Sequence, residues 1–357
     1  MPGHDLIVVG ASAGGVEALM ELVSGLPSDL PAAVCVVLHV PASGTSMLPQ
    51  ILNRAGTLSA SHARDGELLR HGRVYVAPPD SHLVTEPARL RLVAGPRENG
   101  HRPSVDVLFR TAAAAYGPRA IGVVLSGTLD DGTAGLLAIK RRGGVAVVQQ
   151  PADARYPGMP QSALEHVVVD YALPVADMGP VLARLAAQPV QQRIGRPSPD
   201  LEEEIRAAEL DMARLNSDDF PGEPSVYACP ECHGALWEMH DGDLLRFRCR
   251  VGHAYTAESL LAGQASSVEA ALWAALRALE EKASLSGRLA ERAAERGYGL
   301  AAEGFEEQEQ DARQRAAVIR NALLGNGETL PAAGTAEAAA DVPDDFDGLA
   351  PESNAPA

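Results

Sequence analysis

The sequence predicts an α/β protein. A doubly wound, mostly parallel sheet fills the first half, followed by a small cysteine-pinned ribbon, a helical hairpin and a disordered acidic tail. Three observations predict this. Residues 1 to about 190 alternate short β-branched runs with stretches of helical periodicity, the pattern of a parallel sheet wrapped by helices. Three of the four cysteines crowd between residues 229 and 249. Residues 325–357 carry seven Asp or Glu and no Lys or Arg.

Taken in order, the strand candidates are Leu6–Val9, Ala33–Leu38, Val74–Ala77, Ala120–Leu125, Val145–Val148 and Val167–Val169. In the first helix Val16, Leu19, Met20 and Val23 fall at i, i+3, i+4 and i+7, which predicts one buried face. "HLVTEPARLRLV", from His82 to Val93, reads as a hairpin flap around a proline-containing turn. "AAQPVQQRIGRPSPD", from Ala186 to Asp200, holds three prolines and few apolar residues, as a linker would. A short acidic helix follows at about 201 to 215. Residues 257 to 324 are helix-forming, with Leu272, Leu276, Leu279, Leu285 and Leu289 at helical spacing, and "ERGYG" at Glu295 to Gly299 breaks them into a hairpin. The tail cannot bury enough apolar surface to offset its ordering entropy and is expected to be disordered. The expected segments are 1–190, a linker with its helix at 191–225, the ribbon at 226–256, the helical region at 257–324 and the tail at 325–357.

At 357 residues with 46% hydrophobic content the chain can build a sizeable core, and 4% aromatic content implies one made of Ala, Val and Leu. A net charge of −17 excludes a general nucleic-acid binder, which needs clustered cations to displace counterions. No apolar run reaches the ~18 residues that span a bilayer, and Asp5 followed by a strand-length run does not resemble a signal peptide. The uneven cysteine spacing suits metal binding rather than a secreted disulfide framework. Together these features predict a cytoplasmic protein without membrane insertion.

The opening stretch "IVVGASAGGVEALMELV" (7–23) admits two chemistries. Its glycines could cradle a nucleotide phosphate, or Gly10-Ala11-Ser12-Ala13-Gly14 could present a nucleophilic serine as G-x-S-x-G. A dinucleotide fingerprint needs glycine where Ser12 stands, and an acidic residue at the second strand's end, where His39 stands. The nucleophile reading instead gains partners. Ser12, His39 and the pair Asp130-Asp131 each follow a strand of one predicted sheet, and loops at those ends converge on one crevice. A hydroxyl, an imidazole and a carboxylate are the parts of an acyl-transfer triad. The order Ser…His…Asp differs from that of α/β-hydrolases, so the scaffold is a different one. Ordinary roles exist for each: Ser12 could cap the following helix, His39 could be a satisfied strand-end histidine, and Asp-Gly is a turn former. His62, His71, His82, His101 and His166 have no motif context and read as surface or flap residues. Cys35 reads as core packing.

"IVVGASAGGVEAL", "VVLHVPASGTSMLPQIL", "VYVAPPDSHL", "RPSVDVLFRTAA", "VVLSGTLDDGTAGLLAIKRRGG" and "PADARYPGMPQSAL" resemble, in order over residues 4 to 185, the Rossmann-like catalytic domain of chemotaxis protein-glutamate methylesterases (CheB-type). The resemblance implies Ser12 as nucleophile, His39 as general base and Asp131, beside Gly132, as orienting carboxylate. It places oxyanion donors at the backbone amides near Ala13 and Thr128. The implied reaction hydrolyses glutamate γ-methyl esters on methylated chemoreceptors, with a related glutamine deamidation, and needs no catalytic cofactor. Members acting in chemotaxis usually carry an N-terminal phospho-acceptor domain; this chain begins at the catalytic strand, so a regulatory partner is expected instead. The rival reading is a non-catalytic signalling adaptor that docks through its ribbon and helices.

"ACPECHGALWEMHDGDLLRFRCRVGHA" sets Cys229-x2-Cys232 and Cys249-x3-His253 on either side of a hairpin turning at Asp241-Gly242. This is the donor spacing of a tetrahedral zinc ribbon, closed and therefore structural. His233 and His240 are alternative fourth ligands, and cysteines simply packed together without a metal are the remaining alternative.

Overall fold

A computed structural model describes residues 3–190, 195–209 and 222–325. Two compact units divide between Ser267 and Val268. The acidic tail from residue 326, residues 191–194 and 210–221 of the linker segment, and with the latter the last six residues of the predicted 201–215 helix, lie outside the described residues.

The first unit is built on a seven-stranded sheet whose strands, numbered along the chain, run in the order β3-β4-β2-β1-β7-β8-β9. They are β1 (Leu6–Ala11), β2 (Ala33–Leu38), β3 (Ser59–His62), β4 (Arg73–Val76), β7 (Ala120–Val124), β8 (Val145–Gln149) and β9 (Tyr171–Leu173). Every pairing in it is parallel. The period-two alternation of a strand splits the sheet's apolar residues between two cores. Ile7 and Val9 face α1 (Gly15–Ser24), α2 (Leu48–Ala55) and α6 (Val175–Ala186). Leu6 and Val8 face α3 (Val105–Tyr116), α4 (Thr133–Arg141) and α5 (Gly158–His166). The sheet is therefore doubly wound. Cys35 lies in the second core, and burial pushes its thiol well above the usual range.

Several expectations shift. The buried face of α1 is Ala18, Leu19, Leu22 and Val23, whereas Met20 is exposed. Val167–Val169 is not a strand: Val168 is 83% exposed and the pairing strand is β9, four residues on. Asp170 causes the offset, since its carboxylate accepts the Ala146 amide at 2.8 Å and holds Lys140. β3 has the sequence SASH, with no apolar run for a pattern to detect. The flap at His82–Val93 is an antiparallel hairpin of β5 (His82–Glu86) and β6 (Arg89–Val93).

After α7 (Pro199–Ala208) the ribbon is a four-stranded antiparallel sheet, β10 (Glu223–Ala228), β11 (Ala235–Asp241), β12 (Leu244–Cys249) and β13 (Ala254–Thr256). Only its central hairpin had been expected. Its own core is small, built around Leu236, Phe247, Tyr255 and Leu260. It joins the larger domain through charges instead. Glu98, 1% exposed, lies between Arg110 of α3 (2.5 Å) and Arg248 of β12 (3.3 Å). Glu204 of α7 forms ion pairs with Arg110 (3.0 Å) and Arg246 of β12 (2.6 Å).

The second unit is a helical hairpin. From Val268 onward it holds the remainder of the helix Ala257–Glu295, which ends at the expected break, where Gly297 has φ +78°, and the helix Gly299–Gly325 returns. Within this unit Leu276, Ala283 and Ala290 recur every seven residues on the buried seam. Ala302, Ala312 and Ala316 are buried on the returning helix. Among the described residues no helix is long and apolar enough to cross a membrane.

Candidate active site

β1 lies between β2 and β7, so the loops leaving these three strands open into one crevice near the point where strand order reverses. Ser12 follows β1 directly, its amide pinned to the Ser126 carbonyl at 2.9 Å. His39 follows β2, its amide on the Ala11 carbonyl at 3.2 Å. Asp131 stands between β7 and α4. Ser12 Oγ is 3.0 Å from His39 Nδ1, and His39 Nε2 is 2.7 Å from Asp131 Oδ2. The histidine and aspartate side chains are 6% and 2% exposed, and Ser12 is half-buried. Ser12 does not cap α1, whose N-cap is Gly14.

The close approach of α3 makes the carboxylate's environment. A Cβ on Gly10 would lie 2.2 Å from Val105 Cγ1, so glycine at this strand position lets the start of α3 reach the crevice. Asp131 accepts hydrogen bonds from the Val105 amide (2.8 Å), the Asp106 amide (3.2 Å) and the Ser104 hydroxyl (2.9 Å). The amides belong to the helix N-terminus, which favours negative charge. Burial alone would raise this carboxyl. The hydrogen bond and charge of His39, with the Val105 amide, hold it well below the usual carboxylate range. Asp130 does not meet His39; its carboxyl lies by Thr256, and burial pushes it up to about 7.

Five further residues shape the site, none of them among the candidates drawn from the sequence. His101 stacks on His39 with ring centroids 3.6 Å apart, and burial beside that ring pushes it down to about 4. It is not a surface residue. His82 does lie on the flap, at the start of β5, but fully buried, where it accepts the Ser104 amide at 3.2 Å. Ser126 accepts the Tyr156 amide (3.0 Å) and donates to the Ala13 carbonyl (2.8 Å), bracing the serine loop. Asp106 accepts the Gly135 amide of α4 at 2.7 Å; burial and the Asp131 charge push it up to about 7. Asn99 bonds both Asp106 and Asp131 at 3.0 Å. Ser104 and Asp106 lie within the "RPSVDVLFRTAA" block and could have been taken from it. Asn99 and His101 lie just before that block, with no telling spacing. His62 and His166 bond carbonyls of Ser46 and Ser162, and His71 is exposed.

The amides of Ser12 and Gly127 are spent internally, on Ser126 and Tyr156 carbonyls at 2.9 Å each. Among the described residues no acceptor takes the amide hydrogens of Ala13 or Thr128. Gly127 is pressed against the serine: a Cβ there would lie 2.9 Å from Ser12 Cβ. A cavity of about 370 Å³, lined by His39, Val40, Pro41, Arg97, His101 and Arg102 among others, opens beside the histidine.

A second constellation lies in the ribbon. Donor atoms of Cys229, Cys232, Cys249 and His253 are all within 4.8 Å of one another. Cys232 and Cys249 sulfurs are 3.6 Å apart, and His253 Nδ1 is 3.7 and 3.5 Å from Cys229 and Cys249 sulfurs. A zinc tetrahedron with Zn–S of about 2.3 Å and Zn–N of about 2.0 Å has edges of about 3.8 and 3.5 Å, so the donors fit that ion. The alternative ligands are not in the group: His240 is exposed and bonds Glu238 at 3.1 Å.

The model of the CheB methylesterase family matches residues 7–182. A Leptospira interrogans relative, named for protein-glutamate methylesterase/protein-glutamine glutaminase, is 38% identical over 191 residues, covering 53% of this chain and 99% of its own. A Caulobacter vibrioides protein-glutamate methylesterase/protein-glutamine glutaminase is 41% identical over 191 residues, 52% of this chain and 55% of its own. The chain thus spans nearly all of one relative and about half of the other. The crystal structure of the Thermotoga maritima CheB methylesterase catalytic domain is similar at 33% identity and a TM-score of 0.49, covering 52% of this chain and all of that one.

Proposed function

This chain belongs to the CheB methylesterase family, and on that premise we propose that Ser12, His39 and Asp131 hydrolyse glutamate γ-methyl esters on methylated chemoreceptors. The observation that carries the reading is the continuous relay from the Ser12 hydroxyl through His39 to Asp131, at 3.0 and 2.7 Å. In this reading Ser12 Oγ attacks the ester carbonyl while His39 Nδ1 takes its proton, and Asp131 holds the Nε2–H tautomer. The amides of Ala13 and Thr128 stabilise the oxyanion, each fixed donor contributing on the order of 3 kcal/mol to the transition state. The tetrahedral intermediate collapses with His39 returning the proton to the leaving methoxide, so methanol departs and an acyl-Ser12 ester remains. Water, deprotonated by His39, then attacks that ester; glutamate is released and the Ser12 hydroxyl restored. With glutamine as substrate the same steps release ammonia.

Residues 1–190 carry this reaction, and residues 226–256 form a ribbon that Cys229, Cys232, Cys249 and His253 would close around structural zinc. Zinc held by these four donors would contribute folding energy and no catalytic step, since a closed four-donor site would leave no position for water. Cytoplasmic placement follows from the substrate, whose ester-bearing helices lie on that side, and agrees with four free cysteines. The test is methanol release from methylated receptor membranes. The parent protein should release it and Ser12→Ala should not; equal release by both, or none by the parent, overturns the proposal.

A further inference from the structure

Asn99 stands where the ribbon meets the candidate catalytic carboxylate, and its amide is engaged from both sides. Its Oδ1 accepts hydrogen bonds from the Thr256 amide at 3.1 Å and the Ser259 hydroxyl at 2.9 Å, at the junction of β13 and the helix that follows it. Its Nδ2 donates to Asp131 Oδ1 and Asp106 Oδ2, each at 3.0 Å. Two acceptances and two donations are all that a carboxamide can make. The side chain is 6% exposed, so no water substitutes for a lost partner. Its orientation is fixed as well: exchanging oxygen and nitrogen would set an NH2 against two donors and a carbonyl against two carboxylates.

The backbone repeats the connection. Asn99 is held at φ +52°, a left-handed conformation that asparagine tolerates. Its amide donates to the Ala254 carbonyl at 2.7 Å. Ala254 follows His253, a donor of the metal cluster. Two residues on, His101 closes the same loop on Glu98 and stacks on His39. The loop from Arg97 to His101 is thus laid along the ribbon's outer strand, with one side chain reaching the aspartate and another covering the histidine.

We propose that Asn99 is a positioning residue through which the metal ribbon sets the geometry of Asp131, so that the appended module completes the hydrolase site. The inference rests on the hydrolase reading for what Asp131 does. Without the NH2 of Asn99 between them, Asp106 and Asp131 lose a shared donor, and Asp131 Oδ1 keeps only the Ser104 hydroxyl and the Asp106 amide to hold the carboxylate's tilt toward His39. The ribbon supplies what holds that donor in place.

The test uses the intact, zinc-loaded chain with two readouts: the rate at which a fluorophosphonate labels Ser12, and the low-field proton resonance of the His39–Asp131 hydrogen bond. The second readout needs no turnover. Asn99→Ala should keep its zinc, lose the resonance and label roughly ten- to a hundredfold more slowly, as expected for loss of a buried bond to a charged group. Ser259→Ala, which also leaves the metal donors untouched, should slow labelling a few-fold. Removing zinc with EDTA should slow the parent and abolish its resonance, yet slow Asn99→Ala no further, because residues acting through one path are not additive. Equal slowing of both by EDTA overturns the coupling. If EDTA unfolds the parent, the two metal-loaded variants decide: parental labelling and an unchanged resonance in both overturn it. A metal-loaded parent whose Ser12 never labels, while its resonance responds to Asn99→Ala, overturns the hydrolase reading and leaves the positioning role standing.

Discussion

Asp130 and Asp131 are adjacent, both 2% exposed, and pushed in opposite directions, which makes them the sharpest test at the scale of single residues. Asp131 is held low because His39 and backbone amides bond its charged form, and those bonds orient the imidazole. Asp131→Asn should leave the fold intact and lower kcat by roughly 10³- to 10⁴-fold, the cost of a wrongly held tautomer, measured as methanol release at saturating substrate. Asp130 faces Thr256 instead, so Asp130→Asn should change kcat by less than about threefold, a surface-like outcome for a residue with no reacting partner. Its effect should lie in stability. Burial raises its carboxyl from 3.8 to about 7. A raised folded value means the folded state prefers the proton: its contribution is fully present below pH 4 and is lost as pH rises toward 7. Asp130→Asn removes that loss. Urea unfolding of the two proteins should nearly coincide at pH 4 and diverge by pH 8, the variant then being more stable by up to a few kcal/mol. Coincidence at both pH values would show that Asp130 ionises without penalty.

At the scale of elements, the site depends on α3 lying close enough to β1 to offer its first amides to Asp131, and Gly10 permits that approach. Gly10→Ala would force its methyl group into Val105. Overpacking of this kind costs about 1–3 kcal/mol, and here it also moves the Val105 amide from the carboxylate. We expect a lower urea midpoint together with a kcat loss that exceeds what partial unfolding explains; a stability loss with unchanged kcat would separate the helix from the site. The same elements show what a sequence makes legible. Ser12, His39 and Asp131 were visible because each follows a recognisable strand, and a parallel sheet collects such ends at one edge. The group of Cys229, Cys232, Cys249 and His253, which could hold a metal, was legible because a tetrahedral site fixes the local spacing of its donors. Asn99 and His101 were not, because their partners are 32 and more than 60 residues away in the chain, joined by folding alone. β9 was misplaced for a related reason. A pattern reads Val167–Val169 as apolar, while Asp170, through its bond to Ala146, decides which residues pair. Ser12 reads the same way in a cap or a nucleophile; the structure excludes the cap, since Gly14 holds that position, and sets an imidazole 3.0 Å from the hydroxyl.

For the whole first unit, the ribbon and the sheet domain are joined by buried charges whose balance requires both parts. Glu98 is held low despite full burial because Arg110 and Arg248 flank it, one from each part. Glu204 likewise forms ion pairs with Arg110 and Arg246. Such a network is strongly destabilising to break from one side, at about 3–5 kcal/mol per orphaned partner, because the remaining charge stays buried. The ribbon's own core is too small to hold β12 in register alone, so the four donors would supply that through zinc. Loss of the metal should therefore be felt beyond the ribbon. Metal analysis of the purified chain should find one zinc, and Cys232→Ser should reduce it well below one. That variant should also melt about 10 °C lower or more, since each kcal/mol is worth about 2–4 °C in a unit of this size. Arg248→Met offers a control that keeps all four donors: zinc should stay at one while the melting temperature falls, because Glu98 loses its ribbon-side partner. If Cys232→Ser sheds its zinc and melts with the parent, the ribbon is an independent appendage, and the charged network between them contributes nothing to holding the sheet domain together.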